Sequence, residues 1–125
     1  MKQEEFINME RIIPNTTLES LDAKQRKNVP IATGVIDYFS LALIAIAECS
    51  QKGNDQHNPG TPLHWDRSKS GDESDALMRH FIDRGKIDTD GIRHSTKVAW
   101  RALAMLQKEL EKERLKLRQK LEVLI

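Results

Sequence analysis

All four histidines and both tryptophans of this 125-residue chain fall between residues 57 and 101, among a dense set of carboxylates and basic side chains. Carboxylates are the ligands that hold Mg²⁺, and the side chains of Arg, Lys and His bind phosphate oxygens. A stretch that carries both kinds of group is suited to a metal-bound polyphosphate. We therefore expect any chemical site of the protein to lie in this stretch.

The first predicted helix of this stretch begins at Ser70, because Ser70 and Glu73 have the spacing of a capping box. Apolar residues then recur at helical spacing until Gly85 ends the run. At about 100° per residue, the polar side of this helix collects carboxylates around one arginine and one histidine. This acidic arc consists of Asp72, Glu73, Asp75, Arg79, His80 and Asp83.

The second predicted helix starts near Asp88 to Asp90, where acidic residues favour the positive end of a helix dipole. Four polar residues at i, i+4, i+7 and i+11 share one side of this helix. This basic strip consists of Asp90, His94, Lys97 and Arg101. Only a short link, residues 85–87, separates the two predicted helices. We expect the acidic arc and the basic strip to face each other across a cleft.

The composition favours one water-soluble, helix-rich domain. With 20 basic and 19 acidic residues, the chain has no global attraction for nucleic acid, and long nucleic acid is not an expected partner. The single cysteine, Cys49, cannot form a disulfide within one chain and fits a reducing compartment. Residues 1–5 lack an apolar run, and no stretch approaches the roughly 18 residues of a membrane span. We expect a cytoplasmic protein without a membrane partner.

The remaining segments predict an N-terminal helical arm over residues 1–29, a helical core over 30–111 and a C-terminal helix extension over 112–125. Within the arm, residues 4–13 and 17–27 are predicted as short helices. Residues 31–35 look extended, and a helix over 41–52 is apolar all round, which is typical of a buried central helix. Glu48 beside that apolar run is either the first residue to reach solvent or a metal ligand.

A polar loop over residues 53–67 carries His57, His64 and Trp65 within nine residues. Its glycines and prolines exclude regular structure, and its length favours a function over a mere connection. The loop is either a lid that binds a base or another ligand, or a solvated segment whose histidines have no role.

From Leu103 onward, neither glycine nor proline interrupts the second helix before Ile125. Leucines continue at helical spacing along a highly charged surface, which predicts a helix that needs a partner strip. These leucines are Leu103, Leu106, Leu110, Leu117, Leu121 and Leu124. We therefore predict an all-α fold, a compact bundle of three to five helices whose long C-terminal helix makes a homo-oligomer.

The runs NDQHNPGTPLHW and KSGDESDALMRHFIDRGKIDTDGIRHSTKVAWRALAMLQKELE resemble the dATP/dGTP diphosphohydrolase N-terminal domain family, which is common in phages. The similarity covers roughly residues 27–111 and includes VPIATGVIDYFSLAL. It implies a phage-encoded protein of the host cytoplasm whose core, residues 30–111, binds purine nucleotides.

Two comparisons qualify this resemblance. Close relatives are expected to carry a histidine after the aspartate of GDESD, where this chain has Glu73, an oxygen donor that favours Mg²⁺ or Mn²⁺ over Zn²⁺. The chain is also similar to the all-α nucleoside triphosphate pyrophosphohydrolases, but it has no clean copy of their ExxE and ExxD signature. Glu48 stands alone, and Asp72 to Asp75 supplies only D-x-x-D.

The first functional hypothesis is a metal-dependent pyrophosphohydrolase that cleaves a purine deoxynucleoside triphosphate to the monophosphate and pyrophosphate, with Mg²⁺ or Mn²⁺ as cofactor. Its catalytic residues would be His80 and Glu73. Its metal ligands would be Asp72, Asp75, Glu48 and Asp83; its phosphate-binding residues Arg79, His94, Lys97 and Arg101; and its base-binding residues His57, His64 and Trp65.

The alternative is a nucleotide-binding protein without catalysis, such as a phage sponge for a nucleotide immune signal. In that protein, the carboxylates would pair with the cations of the basic strip instead of binding metal. A third interpretation is a helical oligomer whose polar faces are merely solvated and whose histidines only pack or form hydrogen bonds.

Overall fold

The computed structural model describes residues 20–124 of the chain, which form four α-helices. The helices are α1 (Ala23–Lys27), α2 (Ser40–His57), α3 (Glu73–Ile82) and α4 (His94–Leu124). A π-helical segment, Ala32–Ile36, precedes α2, and a 3-10 turn, Arg67–Lys69, precedes α3. The described residues contain no β-strand, only an isolated antiparallel bridge between Ile87 and Arg93. The all-α prediction is confirmed, and so is the long C-terminal helix.

Contacts divide the described residues into two units. The central unit is Ile36–Met105, and the terminal unit combines residues 20–35 with residues 106–124. Helix α4 therefore begins in the central unit and ends in the terminal one. The short helix predicted over residues 4–13 lies outside the described residues.

In the terminal unit, α1 begins at a capping box. Asp22 accepts a hydrogen bond from the backbone N–H of Gln25, and the Gln25 side chain accepts one from the N–H of Asp22. Residues 31–35 were predicted to be extended, and this prediction is wrong because they enter the π-helical turn. A Cβ at Gly34 would lie 3.1 Å from Pro30 Cγ, so glycine permits this close return of the chain.

In the central unit, α2 is longer than predicted and continues through Gly53 to His57. The prediction that its apolar run is buried is wrong for part of the helix, since Leu41 is 82% exposed and Ile44 is 57% exposed. A helix that is apolar all round is buried only when every side is covered. Within the described part of a single chain, no other element covers the side of α2 that bears Leu41 and Ile44.

Helix α3 begins at Glu73 rather than Ser70, and its N-cap, Asp72, makes no capping hydrogen bond through its side chain. The predicted capping-box pair still meets in another way, because the Ser70 hydroxyl donates to the Glu73 carboxylate. Glu73 thus lies buried at the start of the helix. The Ser70–Glu73 contact therefore joins two side chains, and Ser70 itself lies before the helix instead of at its N-cap.

Residues 83–93 form a tight link between α3 and α4, and α4 therefore starts at His94 instead of near Asp88 to Asp90 as predicted. The N–H of Asp88 donates to the carbonyl of Ile92 at 2.8 Å, and the N–H of His94 donates to that of Lys86 at 3.0 Å. Gly91 has φ of +84°, a left-handed conformation that a helix cannot continue. The backbone of this segment consequently pairs within a loop.

Helices α3 and α4 lie antiparallel to each other. His80 near the end of α3 contacts His94 at the start of α4, and Glu73 at the start of α3 approaches Arg101 further along α4. The acidic arc and the basic strip were predicted to face each other, and they do so at these two pairs of residues. No single described helix is long and apolar enough to cross a bilayer; residues Ala23–Ile36 and Ser40–His57 reach that threshold only as a pair with a break between them.

Candidate functional site

A cavity of about 460 Å³ opens in the central unit between the second half of α2, the loop that follows it, and α4. Its volume is in the range of sites that hold a small-molecule ligand. Both tryptophans line it, together with the cations Lys97 and Arg101. The other ionisable or imidazole side chains in its wall are Cys49, His57, His64, Asp66, Lys69, His80 and Asp90.

One wall of the cavity is aromatic. The rings of Trp65 and Trp100 meet edge to face, with centroids 5.7 Å apart and an interplanar angle of 77°. The indole N–H of Trp100 donates to the Ser50 hydroxyl on α2 at 2.8 Å, which fixes the orientation of this ring. The guanidinium of Arg67 lies over the Trp65 ring, 3.9 Å from its centroid. These contacts give the cavity a wall on which a planar base can pack.

Asn54 anchors the loop that carries Trp65. This side chain is 5% exposed, and its amide donates to the carbonyl of Thr61 at 3.0 Å. The Lys69 ammonium donates to the backbone carbonyl of His57 at 3.0 Å, which ties the far end of the loop to the end of α2. The loop therefore has a defined position beside α2, although most of it lies outside regular secondary structure.

The cavity also has a charged part, and Lys97 is at its centre. The Lys97 ammonium lies 2.7 Å from a carboxylate oxygen of Asp88 and 2.7 Å from one of Asp90. The hydrogen bond from Lys97 lowers the pKa of Asp88 to about 2, below its ordinary 3.8. For Asp90, burial raises the pKa, but the hydrogen bond from Lys97 and that from the Ile92 N–H outweigh it and lower the pKa overall.

The pKa of Lys97 itself is raised. Burial lowers this pKa, but the hydrogen bonds to Asp88 and Asp90 and the charges of those carboxylates outweigh the effect of burial. All three groups are consequently charged at neutral pH. The cluster has one positive and two negative charges.

Beside this triad, Nδ1 of His80 lies 2.9 Å from Nδ1 of His94. Burial lowers the pKa of His80, and electrostatic interactions with Lys97 and His94 lower it further. The His80 imidazole is thus neutral at pH 7 and can present a lone pair. Nε2 of His94 lies 3.8 Å from Oδ1 of Asp88, so the Asp88 carboxylate lies close to the two imidazoles. One ligand atom from each of His80, Asp88 and His94 falls within 4.8 Å of the others.

Arg101 also lines the cavity. Its guanidinium lies 4.0 Å from a carboxylate oxygen of Glu73 and 5.5 Å from the centroid of the Trp100 ring. Glu73 is 8% exposed and accepts a hydrogen bond from the Ser70 hydroxyl. This buried carboxylate holds the guanidinium electrostatically, so Glu73 acts on the cavity through Arg101.

The residues predicted as metal ligands lie apart from the cavity. Asp72 is exposed and binds the exposed Arg79 at 3.0 Å, and Asp75 and Glu48 are exposed as well. Asp83 lies 3.7 Å from the Lys86 ammonium. Among residues 20–124, no three of these predicted ligands bring their oxygens within 4.8 Å of one another. The acidic arc is thus split, and only Glu73 and His80 of its members turn toward α4.

Of the other predicted site residues, His57, His64, Trp65, His80, Lys97 and Arg101 line the cavity. Three do not: Glu73 approaches it through Arg101, Arg79 is exposed and paired with Asp72, and His94 lies against His80. Nδ1 of His64 is 2.9 Å from the carbonyl of Pro62. Asp90 was assigned to the second helix but lies in the link before α4, where its carboxylate contacts the Lys97 ammonium at 2.7 Å.

Sequence reasoning missed Asp88, Trp100 and Ser50 as parts of the site. From the sequence, Asp88 was considered only as the start of the second predicted helix, and Trp100 was given no role in the site. The pair Asp88 and Asp90, separated by one residue and followed by His94, was the available signal for the charged cluster. No comparable signal marks Ser50, because its contact with Trp100 joins residues 50 positions apart.

Comparison with known proteins supports the resemblance noted in the sequence. Neither the curated proteins nor the solved structures gave a significant match. In contrast, the model of the family described as dATP/dGTP diphosphohydrolase, N-terminal, matches residues 19–118, which include the whole cavity and the charged cluster. The match extends over most of the chain, and the protein therefore belongs to the dATP/dGTP diphosphohydrolase N-terminal family.

Proposed function

We propose that this protein hydrolyses purine deoxynucleoside triphosphates to the nucleoside monophosphate and pyrophosphate. Family membership supports a nucleotide substrate. The observation that carries the proposal is the cavity of about 460 Å³ that is lined by both tryptophans together with cationic and imidazole side chains. A nucleotide offers the matching groups, because its base is planar while its phosphates are anionic.

In this proposal, the base packs against Trp65 and Trp100, with His57 and His64 at the rim. The phosphates lie toward Arg101, whose planar guanidinium suits phosphate oxygens, and toward Lys97. Water attacks the α-phosphorus, the bond from that phosphorus to its bridging oxygen breaks, and pyrophosphate leaves. The attacking water gives up a proton, and the acceptors that line this end of the cavity are His80 and Asp90.

A divalent cation is part of the proposal, with Mg²⁺ or Mn²⁺ as the expected cofactor. Such an ion would neutralise charge on the phosphates. The side chains of the cavity itself provide binding and orientation: Arg101 is held by Glu73, and the Trp100 ring is held by Ser50.

One observation favours the second candidate function, binding without catalysis. Lys97 is held between Asp88 and Asp90 at 2.7 Å from each, which is the internal pairing expected of a protein whose carboxylates serve cations of the same chain. Arg79 and Asp72 show the same pairing at 3.0 Å. A nucleotide sponge would use the same aromatic wall and Arg101, and it would release its ligand unchanged.

Turnover separates the two functions. Each of the four deoxynucleoside triphosphates is incubated with the protein and Mg²⁺ or Mn²⁺, and the products are resolved by chromatography. Binding is followed in parallel through tryptophan fluorescence, which is specific here because the only two tryptophans both line the cavity. We expect monophosphate and pyrophosphate from dATP and dGTP. Binding without product would support the sponge, and absence of both binding and product would contradict both functions.

We further propose that the protein is a homo-oligomer. Leu41 and Ile44 on α2 and Leu103 on α4 are exposed in the central unit, at 82%, 57% and 50%. Leu115 and Leu121 are exposed by 56% and 52% on the later part of α4. Surface of this kind is usually covered by another chain, and a second copy of the same chain is the simplest partner.

A further inference from the structure

His80, Asp88 and His94 converge where the end of α3 meets the start of α4. One nitrogen of each imidazole and one carboxylate oxygen of Asp88 lie within 4.8 Å of one another, the only such group of three within residues 20–124. The three residues come from α3, from the link of residues 83–93 and from the first position of α4. The tertiary fold assembles them, since no local helical spacing brings them together.

We propose that these three side chains form a binding site for a first-row transition-metal ion. Nδ1 of His80 and Nδ1 of His94 are 2.9 Å apart. Two lone pairs repel at this distance unless a proton or a cation lies between them. A metal ion at about 2.0–2.2 Å from each of two ligand atoms spaces those atoms by roughly 3–4.4 Å. Small movements of the side chains therefore suffice to bring all three groups onto one ion.

The local charge favours a cation. Asp88 and Asp90 carry two negative charges against the single positive charge of Lys97, which leaves a net charge of −1 when the imidazoles are neutral. Lys97 binds Oδ2 of Asp88, whereas Oδ1 faces Nε2 of His94 at 3.8 Å. Oδ1 also accepts hydrogen bonds from the backbone N–H of Thr89 at 2.7 Å and from the Thr89 hydroxyl at 3.3 Å, which orient the carboxylate.

The chemistry of the donors selects the class of metal. Two imidazole nitrogens and one carboxylate oxygen suit ions such as Zn²⁺, Co²⁺ or Mn²⁺ better than Mg²⁺, which prefers oxygen ligands alone. Three protein ligands also leave coordination positions open, as in catalytic metal sites.

His80 and Lys97 both line the cavity, so the ion would border the end assigned above to the phosphates. This role of the ion rests on the proposed function, whereas its binding does not. If His80 holds the metal, Asp90 is the remaining group that can accept the proton of the attacking water.

The test is a titration of the full chain with Co²⁺ in the absence of nucleotide, followed by the visible absorption of the bound ion. We expect one Co²⁺ per chain, displaced by Zn²⁺ and retained in excess Mg²⁺. His80→Gln and His94→Gln should each weaken Co²⁺ binding by at least about tenfold. The matched control is the double variant His57→Gln/His64→Gln, which removes the other two histidines and should bind Co²⁺ like the wild type. Circular dichroism checks that each variant is folded.

Lys97→Met provides a test in the opposite direction. It removes the ammonium that competes for Asp88 and Asp90, and we expect it to raise Co²⁺ affinity by about tenfold.

The metal site is refuted if the wild type fails to bind Co²⁺ below millimolar concentration. It is equally refuted if the loss of His57 and His64, rather than of His80 or His94, abolishes binding. Nucleotide hydrolysis with Mg²⁺ by a chain that binds no Co²⁺ would refute the metal site alone. Tight Co²⁺ binding by a chain that binds no nucleotide would support the metal site and refute the proposed function.

Discussion

Replacing Arg101 by alanine is the most direct test of the cavity as the nucleotide site. The guanidinium lines the cavity, and its side chain is 27% exposed. At 4.0 Å from Glu73, it lies beyond hydrogen-bond distance of that carboxylate and is attracted to it through charge. Arg101→Ala removes its N–H donors, which could otherwise bind phosphate oxygens, together with the cation that lies 5.5 Å from the Trp100 ring centroid.

The expected loss follows from the type of bond removed. A hydrogen bond between a charged donor and a charged acceptor contributes about 1.5–3 kcal/mol. This corresponds to a Kd increase of about 10- to 150-fold. The same variant removes the cation beside the buried Glu73 carboxylate, whose pairing with a partly exposed partner is worth about 1 kcal/mol at most. The Tm should therefore fall by roughly 4 °C, and the protein should remain folded.

The assay is quenching of tryptophan fluorescence by an α,β-methylene analogue of dATP, which can bind but resists cleavage. Arg101→Lys keeps the positive charge but loses the planar fork, so it should fall between wild type and alanine. Arg93→Ala is the matched control, because Arg93 is exposed and outside the cavity wall.

Wild-type affinity in Arg101→Ala would refute the assignment of the phosphates to this end of the cavity. If Arg79→Ala then weakened binding instead, the nucleotide would lie on the exposed part of the acidic arc, where Arg79 contacts Asp72.

Three further predictions concern stability and assembly. Asp88 has a folded pKa of about 2 against an ordinary value of 3.8, so its stabilising interaction is complete above about pH 4 and is lost as pH falls toward 2; thermal melting from pH 5 to 2 should show this loss in the wild type and a smaller one in Lys97→Met. Trp100→Phe removes the hydrogen bond to Ser50 and should lower the free energy of unfolding by about 1 kcal/mol. If this bond is the cause, Ser50→Ala should lower the free energy of unfolding by the same amount, and the double variant should be no less stable than either single variant. Deletion of residues 112–125, or the change of Leu117 and Leu121 to Glu, should weaken self-association in light scattering; a wild type that is monomeric at tens of micromolar would contradict the oligomer.

The sequence by itself determined the class of fold and several of the residues that line the cavity. The spacing of apolar residues identified α3 and the long helix α4, because the 3.6-residue period places each side chain on a known side of its own helix. The same period showed that the polar sides of these helices bear complementary groups. Two pairs, His80 with His94 and Glu73 with Arg101, meet across the helices as that pattern predicted. The motifs of the family likewise required no coordinates.

Tertiary structure decided that Asp88 joins Asp90 at Lys97 and that the carboxylates of the acidic arc do not. Helical spacing grouped Asp72, Asp75 and Asp83 on one arc, but the rotation of α3 against α4 turns Asp72 and Asp75 to solvent. The carboxylates that hold Lys97 come instead from residues 83–93, where Gly91 and the hydrogen bond from Asp88 to Ile92 close a loop.

The contact between Ser50 and Trp100 shows the same limit for the aromatic wall, since it joins two helices across 50 positions. Periodicity reports the faces of one helix at a time, and the meeting of two helices depends on the packing and on the backbone hydrogen bonds of the loops between them.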